Sequence, residues 1–211
     1  YKIMKKLTFK SILILSLLSF SYTFACGTCG CRAPKKEKHK HSENAVTNNI
    51  YSQKSSVKWK ATKVGGEHEG DITIRSGHLH FEDEKLVSGQ VEIDMQSINC
   101  TDLSGSYKDK LEDHLNSSDF FDTKKYPVSS IDLLSCKYVG NNKYKIKADM
   151  TIKDITKDIE FEATLKDGKA IAKVVIDRSE FDVRYGSGSF FSDLGDNLIY
   201  DDFELVINMV Y

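Results

Sequence analysis

The run from Tyr144 to Leu165, Y-K-I-K-A-D-M-T-I-K-D-I-T-K-D-I-E-F-E-A-T-L, constrains the fold more than any other part of the chain. It alternates apolar and polar side chains, pauses at a polar turn and alternates again. A period of two puts Ile146, Ala148, Met150 and Ile152 on one face of a strand and Ile159, Phe161, Ala163 and Leu165 on one face of the next, which predicts an antiparallel hairpin with a dry side and a wet side. The pattern recurs at Val91–Met95 and Phe203–Met209, and more loosely at Ile72–Ile74, Leu79–Phe81 and Val174–Ile176. Many half-buried strands between polar turns describe an all-β sandwich or barrel, whose apolar face encloses either a side-chain core or a cavity.

Two regions depart from this pattern. Between Asn99 and Phe121, Leu103, Tyr107, Leu111, His114 and Leu115 recur at spacings of three or four, which predicts one short amphipathic helix over an end of the β structure. The amino-terminal region, with Met4-Lys5-Lys6, an apolar Ile12–Phe20 and Thr23-Phe24-Ala25, reads as a secretory signal peptide over 1–25 and places the mature protein outside the cytoplasm. Cys26, directly after Ala25, is a candidate for lipidation and membrane attachment. Segment 26–55, polar, basic and aperiodic, reads as a flexible tether. Its C-G-T-C-G-C (Cys26, Cys29, Cys31) and the following His39 and His41 also offer thiolate and imidazole ligands for copper or zinc. From about Ser56 onward, roughly 155 residues remain, enough for one domain with a continuous interior. Cys100 and Cys136 lie within it, and an exported protein permits either a bridge between them or two buried thiols.

The net charge of the 211-residue chain is -1, with lysine interleaved among acidic residues, so no basic stripe suits a nucleic-acid backbone. Ser179 beside Asp177 is not a G-x-S-x-G elbow, and no histidine follows His114. Asp201 and Asp202 fall on opposite strand faces, poor geometry for paired acid and base work, and no glycine-rich nucleotide loop is present. His78 and His80 share a strand face near His68, but Leu79 and Phe81 form the inward pair, so the two histidines turn to solvent. These readings point to a non-enzyme.

Taken in order, V-K-W-K (57–60), G-E-H-E-G-D (66–71), D-H-L-N-S-S-D-F-F-D (113–122), Tyr126-Pro127, T-I-K-D-I-T-K (151–157) and I-D-R-S-E-F-D-V-R-Y-G (176–186) closely resemble the YceI-like family. The resemblance runs from about Val57 to Tyr211. It implies an exported, lipocalin-like, eight-stranded antiparallel β-barrel (56–211) with one short helix, and non-catalytic binding of a polyisoprenoid, isoprenoid quinone or other long-chain amphiphile along the barrel axis. His114-Leu115, Phe120-Phe121-Asp122 and Asp177-Arg178 match family motifs by position. Asp154 and Asp182 stand where the family often has glycine; aspartate tolerates the left-handed turn conformation, so the hairpin at Asp154 is expected to survive. In such a barrel Ala148 and Ala163 supply space, while Phe81, Ile93, Phe121, Ile146, Ile159, Phe161, Ile176 and Phe203 supply an apolar wall. Arg178 is either the polar contact to a ligand oxygen or the structural partner of a nearby carboxylate. The expectation is a lipid carrier or store in the periplasm or cell envelope. The alternatives are a filled structural or stress-response barrel acting through protein contacts, and a metal-binding role of the amino-terminal Cys/His segment.

Overall fold

The computed structural model describes residues 44–211. The leader, Cys26 and the Cys/His segment lie outside the described residues. The chain forms strands β1 (Ala45–Asn49), β2 (Ser56–Lys63), β3 (Gly66–Glu82) and β4 (Lys85–Cys100), helix α1 (Gly105–Asn116), then β5 (Val128–Gly140), β6 (Lys143–Ile152), β7 (Ile155–Lys166), β8 (Lys169–Asp177) and β9 (Ile199–Val210). Every pairing is antiparallel, in the order β2-β9-β8-β7-β6-β5-β4-β3. Pairing of β3 with β2 as well as β4 closes eight strands into a barrel.

Strand β1 is the element that composition alone assigns to the tether. It pairs with the second half of β3, Ala45 opposite Glu82 and Asn49 opposite His78, on the edge whose first half holds β2. β1 and β2 thus form one interrupted stave. The break is stitched by Ile50 N–H to Gly77 O (2.9 Å), Tyr51 N–H to Val210 O (2.8 Å) and Val210 N–H to Ser55 Oγ (3.0 Å). A polar strand such as A-V-T-N-N survives here because a barrel edge supplies its hydrogen-bond partners.

Besides the β2–β3 turn at Val64-Gly65, four hairpins turn on two residues each: Asp83-Glu84, Asn141-Asn142, Lys153-Asp154 and Asp167-Gly168. All eight residues have positive φ, from 47° at Asp83 to 72° at Gly168. Positive φ at both central positions is the type I′ arrangement, whose twist matches that of the flanking strands. Asp154, at 62°, adopts the left-handed conformation that the family glycine would supply. The predicted hairpin has Ile146 opposite Phe161 and Ala148 opposite Ile159, with the apolar faces inward.

Helix α1 sits at the end where β4 finishes and β5 begins. None of its residues is fully buried, and Tyr107, expected on the apolar stripe, is 73% exposed. Polar contacts hold it: Glu112 Oε1 accepts from Cys100 N–H (2.7 Å), and Lys108 Nζ donates to Asn99 Oδ1 (2.6 Å). Beyond the helix, Asp122 takes a left-handed φ of 47°, its N–H bonds Ser117 O, and its own carbonyl accepts from Lys125 and Tyr126 N–H. This knot explains the F-F-D motif as a means of turning Phe120 and Phe121 back toward the barrel.

Gly70 marks a close approach in β3. A Cβ there would drive into the Asn99 carbonyl oxygen and the Trp59 ring, which accounts for glycine in G-E-H-E-G-D. Cys100 and Cys136 are free thiols rather than a bridge. Burial and a hydrogen bond to Asp102 raise the Cys100 thiol, and burial pushes Cys136 up to about 11, so both stay protonated.

Candidate functional site

The inward faces of the strands do not meet. They leave a cavity of about 160 Å³, roughly ten times what one water molecule needs. Its wall includes Leu79, Leu86, Leu165 and Met209 toward the hairpin-closed end and Ile93, Met95, Ile98, Leu115, Phe120 and Phe121 toward the helix-covered end, so the hollow runs along the barrel. Inward residues of a solid core would be fully buried. Trp59, Ile93, Phe161, Phe203 and Ile207 stay half-buried because they face empty space.

Seven of the eleven residues picked from the sequence line the cavity: Ile93, Phe121, Ile146, Phe161, Ala163, Arg178 and Phe203. Phe81, Ala148, Ile176 and Ile159 do not, Ile159 packing against the core instead. Phe81 stacks on Tyr211 with ring centroids 5.3 Å apart and helps close the end away from the helix. Ala148, 1% exposed, faces inward between Leu133 and Ile159, but its methyl group is too short to reach the wall that Ile146 and Met150 form on either side. Ile176 is buried opposite Phe203, whose longer side chain takes the wall there.

The small residues that hold the space open are instead Ala163 on β7 and Ala172 opposite it on β8, with Ala170 one inward position farther along and Ala61 on β2. Strand β8 hides this in sequence because its outward Ile171 and Val175 are also apolar, which blurs the alternation of K-A-I-A-K-V-V-I-D. β7 and β8 pair only from Ala163–Lys166 to Lys169–Ala172. Beyond that point, a 3₁₀ turn, Arg178–Phe181, packs beside β7, with Phe181 and Val183 buried and Lys153 Nζ donating to Asp182 O (2.9 Å).

The D-R motif builds this plug. Asp177 Oδ1 accepts from Ser179 N–H (2.8 Å) and Ser179 Oγ (2.6 Å), capping the turn, and Asp182 ends it at a left-handed φ of 57°, the conformation for which glycine is otherwise suited. Arg178, 3% exposed, donates to four carbonyls: Tyr200 from Nε (3.3 Å), Val183 and Tyr185 from Nη1 (3.0 and 2.9 Å) and Ile199 from Nη2 (3.0 Å). Its Nη2 lies 3.3 Å from Asp201 Oδ1, and its guanidinium sits 5.4 Å over Phe120. Desolvation lowers its pKa, opposed by the charges of Asp201 and Asp177. Of the two roles open to Arg178 in the sequence, the geometry is that of the structural pairing. Phe120, Phe121, His114 and Tyr185 form an edge-to-face aromatic group beside it, with His114 and Tyr185 centroids 4.3 Å apart.

A second polar cluster ties β3 to the loop after β4. Asp102 accepts from Glu69 N–H (3.0 Å) and the Cys100 thiol (3.1 Å), and pairs with His68 Nδ1 (2.8 Å). Desolvation pushes its carboxyl up, but the hydrogen bonds and the His68 charge outweigh it and hold the pKa at about 2. A carboxylate depressed in the folded state contributes stability above its ordinary value of 3.8 that disappears as pH falls toward 2. Because water still reaches a quarter of the side chain, the contribution is on the order of 1 kcal/mol. Asp102→Asn should therefore lower urea stability by that amount at neutral pH, with the two stability curves converging as pH drops through this window. Parallel curves down to the acid limit would remove this role. His78 and His80 lie on the outer side, where His80 Nδ1 shares a hydrogen bond with Thr47 Oγ1 (2.9 Å). Among the described residues no group of three potential ligands is placed to hold a metal ion.

Residues 49–211 match the model of the YceI-like domain. A UPF0312 protein of Pseudomonas putida is 27% identical over 113 residues, 53% of this chain and 57% of that protein. Protein YceI of Escherichia coli is 29% identical over 89 residues, 42% of this chain and 44% of its own length. The chain thus spans about half the length of the curated relatives it matches. Two solved structures share the fold. BcnA of Burkholderia cenocepacia has a TM-score of 0.62 at 23% identity, covering 77% of this chain and 99% of its own. A polyisoprenoid binding domain from Saccharophagus degradans has a TM-score of 0.53 at 11% identity, covering 76% and 95%. With the domain model matched along the whole barrel and the D-R, F-F-D and G-E-H-E-G-D motifs each explained by what they hold in place, the chain belongs to the YceI-like family.

Proposed function

We propose that this protein is a non-catalytic carrier or store for a polyisoprenoid or similar long amphiphile, exported and working in the bacterial cell envelope. The observation that carries the reading is the apolar channel along the barrel, with alanines where larger residues would fill it. The similarity to a polyisoprenoid binding domain supports the ligand class. The export features of segment 1–25 support the location, and Cys26 offers a lipid anchor.

Each methylene moved from water into such a wall is worth about 0.8 kcal/mol, so ten carbons provide roughly 8 kcal/mol before the costs of association and ordering. A much longer tail gains little more, because non-covalent affinity saturates near about -18 to -21 kcal/mol. Chain burial therefore supplies ample affinity while leaving selectivity to whatever meets the polar end.

Native mass spectrometry of the mature protein made in its own host, followed by organic extraction, should find a long-chain lipid in stoichiometric association with the barrel. A lipid-free preparation that also fails to take up added prenyl lipids would overturn the carrier reading and favour a structural barrel acting through protein contacts.

A further inference from the structure

The connection between β8 and β9, with the first residues of β9, leaves four aromatic side chains in contact with water: Tyr185, Phe190, Phe191 and Tyr200, each 39–50% exposed. The exposure is built in. Ser187, fully buried, pivots a tight turn: its carbonyl accepts from Phe190 N–H (3.2 Å) and Phe191 N–H (3.1 Å), and its Oγ accepts from Ser189 N–H (3.1 Å). Ser189 Oγ donates in turn to Asp201 Oδ2 (2.7 Å), and Ile199 N–H bonds Gly186 O (2.8 Å) at the base. An ordered turn that holds two consecutive phenyl rings in water forfeits much of their burial, which marks a contact surface.

The surface is continuous with the hollow. Tyr200 is half exposed and also lines the cavity, and Tyr185 packs on His114 and beside Phe120, itself a wall residue. The β7–β8 seam, paired only at its far end, parts toward this same helix-covered end. A chain that dissolves in a bilayer and fits an apolar hollow has to pass between the two, and each methylene that crosses open water makes the passage roughly fourfold rarer. Charge narrows the choice of surface. Arg184 pairs with Asp182, Lys153 Nζ donates to Asp182 O (2.9 Å), and Lys125 lies within the fields of Asp122 and Asp154. This rim has no surplus of cations, and Asp193 and Asp196 on the connection are exposed, so the fit is to a zwitterionic lipid surface held by apolar contact.

We propose that the turn 187–191 seats the helix-covered end of the barrel on a lipid bilayer, with Phe190 and Phe191 entering the headgroup boundary and Tyr185 and Tyr200 lying at its level. Aromatic rings favour that boundary, where an apolar body and a polar tip are both accommodated. Arg184, whose guanidinium lies 5.0 Å over the Phe190 ring, keeps its charge among the headgroups. Docking needs only the exposed rings; its use in loading the hollow rests on the carrier reading above.

The test mixes the mature protein carrying Cys26→Ser, so that no acyl anchor contributes, with phosphatidylcholine–phosphatidylethanolamine vesicles. Phe190→Ser combined with Phe191→Ser should lower vesicle partition roughly thirtyfold, since each half-exposed ring has about half of a full burial to gain, and should leave Tm unchanged. Partition should vary little with salt, because the rim is charge-balanced. Phe191→Trp should be quenched by brominated lipids, whereas Val46→Trp, near the β3–β4 hairpin at the opposite end, should not. The double-serine variant should also take up a fluorescent prenyl alcohol from vesicles more slowly by a similar factor, with the same final occupancy. Equal partition of the two proteins, equal quenching at both ends, or partition that salt abolishes would overturn the docking surface. Self-association that depends on the two rings, in place of vesicle binding, would overturn it in favour of contact between two copies. Uptake as fast in the double-serine variant would refute the part played in loading, and ring-dependent docking with no uptake by either protein would sink the carrier reading while the docking surface stands.

Discussion

Arg178→Ala will lower the stability of the barrel by about 3–5 kcal/mol, the range for removing one partner of a buried charge pair. For a domain of this size, that is a fall of about 10 °C in Tm. The substitution leaves the carbonyls of Val183, Tyr185, Ile199 and Tyr200 without their donor and the Asp201 carboxylate without its counter-charge. These groups belong to the two ends of one long connection between β8 and β9, so the same change should make residues 182–198 the first site of limited proteolysis. Arg178→Lys should recover little, because an ammonium delivers its donors from one point and cannot span four carbonyls. Thermal unfolding with protease mapping checks this; a Tm within two degrees of the wild type would show that the connection holds without its staple.

That role was half legible in sequence. The D-R motif identifies a charged residue at the end of an apolar strand, and both a ligand oxygen and a carboxylate are reasonable partners for it. Which one wins depends on the connection 182–198, whose aperiodic sequence carries no pattern that places its carbonyls. The hairpins were more legible, since period-two alternation and paired turn residues fix register locally, as at Ile146 and Phe161. β1 was hidden because its stability comes from the edge of β3 rather than from its own polar residues. The cavity was legible only as a face. Alternation shows that Phe81, Ala148 and Ile176 point inward, but depth along the barrel decides whether an inward side chain lines the hollow, closes its end or lies beneath longer neighbours.

Ala172→Phe should empty the barrel without unfolding it. Ala172 and Ala163 face each other across β7 and β8 and both border the hollow, so an added ring enters unoccupied space. If it displaces even five methylenes of a bound chain, the loss is about 4 kcal/mol, or roughly a thousandfold in Kd. Lipid recovered from the purified protein should fall below detection, and urea stability of the lipid-free barrel should hold or rise, because the ring makes contacts where none existed. Ala148→Phe is the matched control: the methyl group of Ala148 lies beneath Leu133, Ile146 and Met150, so an added ring must part those packed neighbours before it reaches the hollow and should cost about 1–3 kcal/mol. The two variants thus move stability and occupancy in different directions, which a general intolerance of bulk in the β-sheet would not do. Equal destabilisation of both, or lipid retained in Ala172→Phe, would mean that the alanine pair does not define the space a ligand uses.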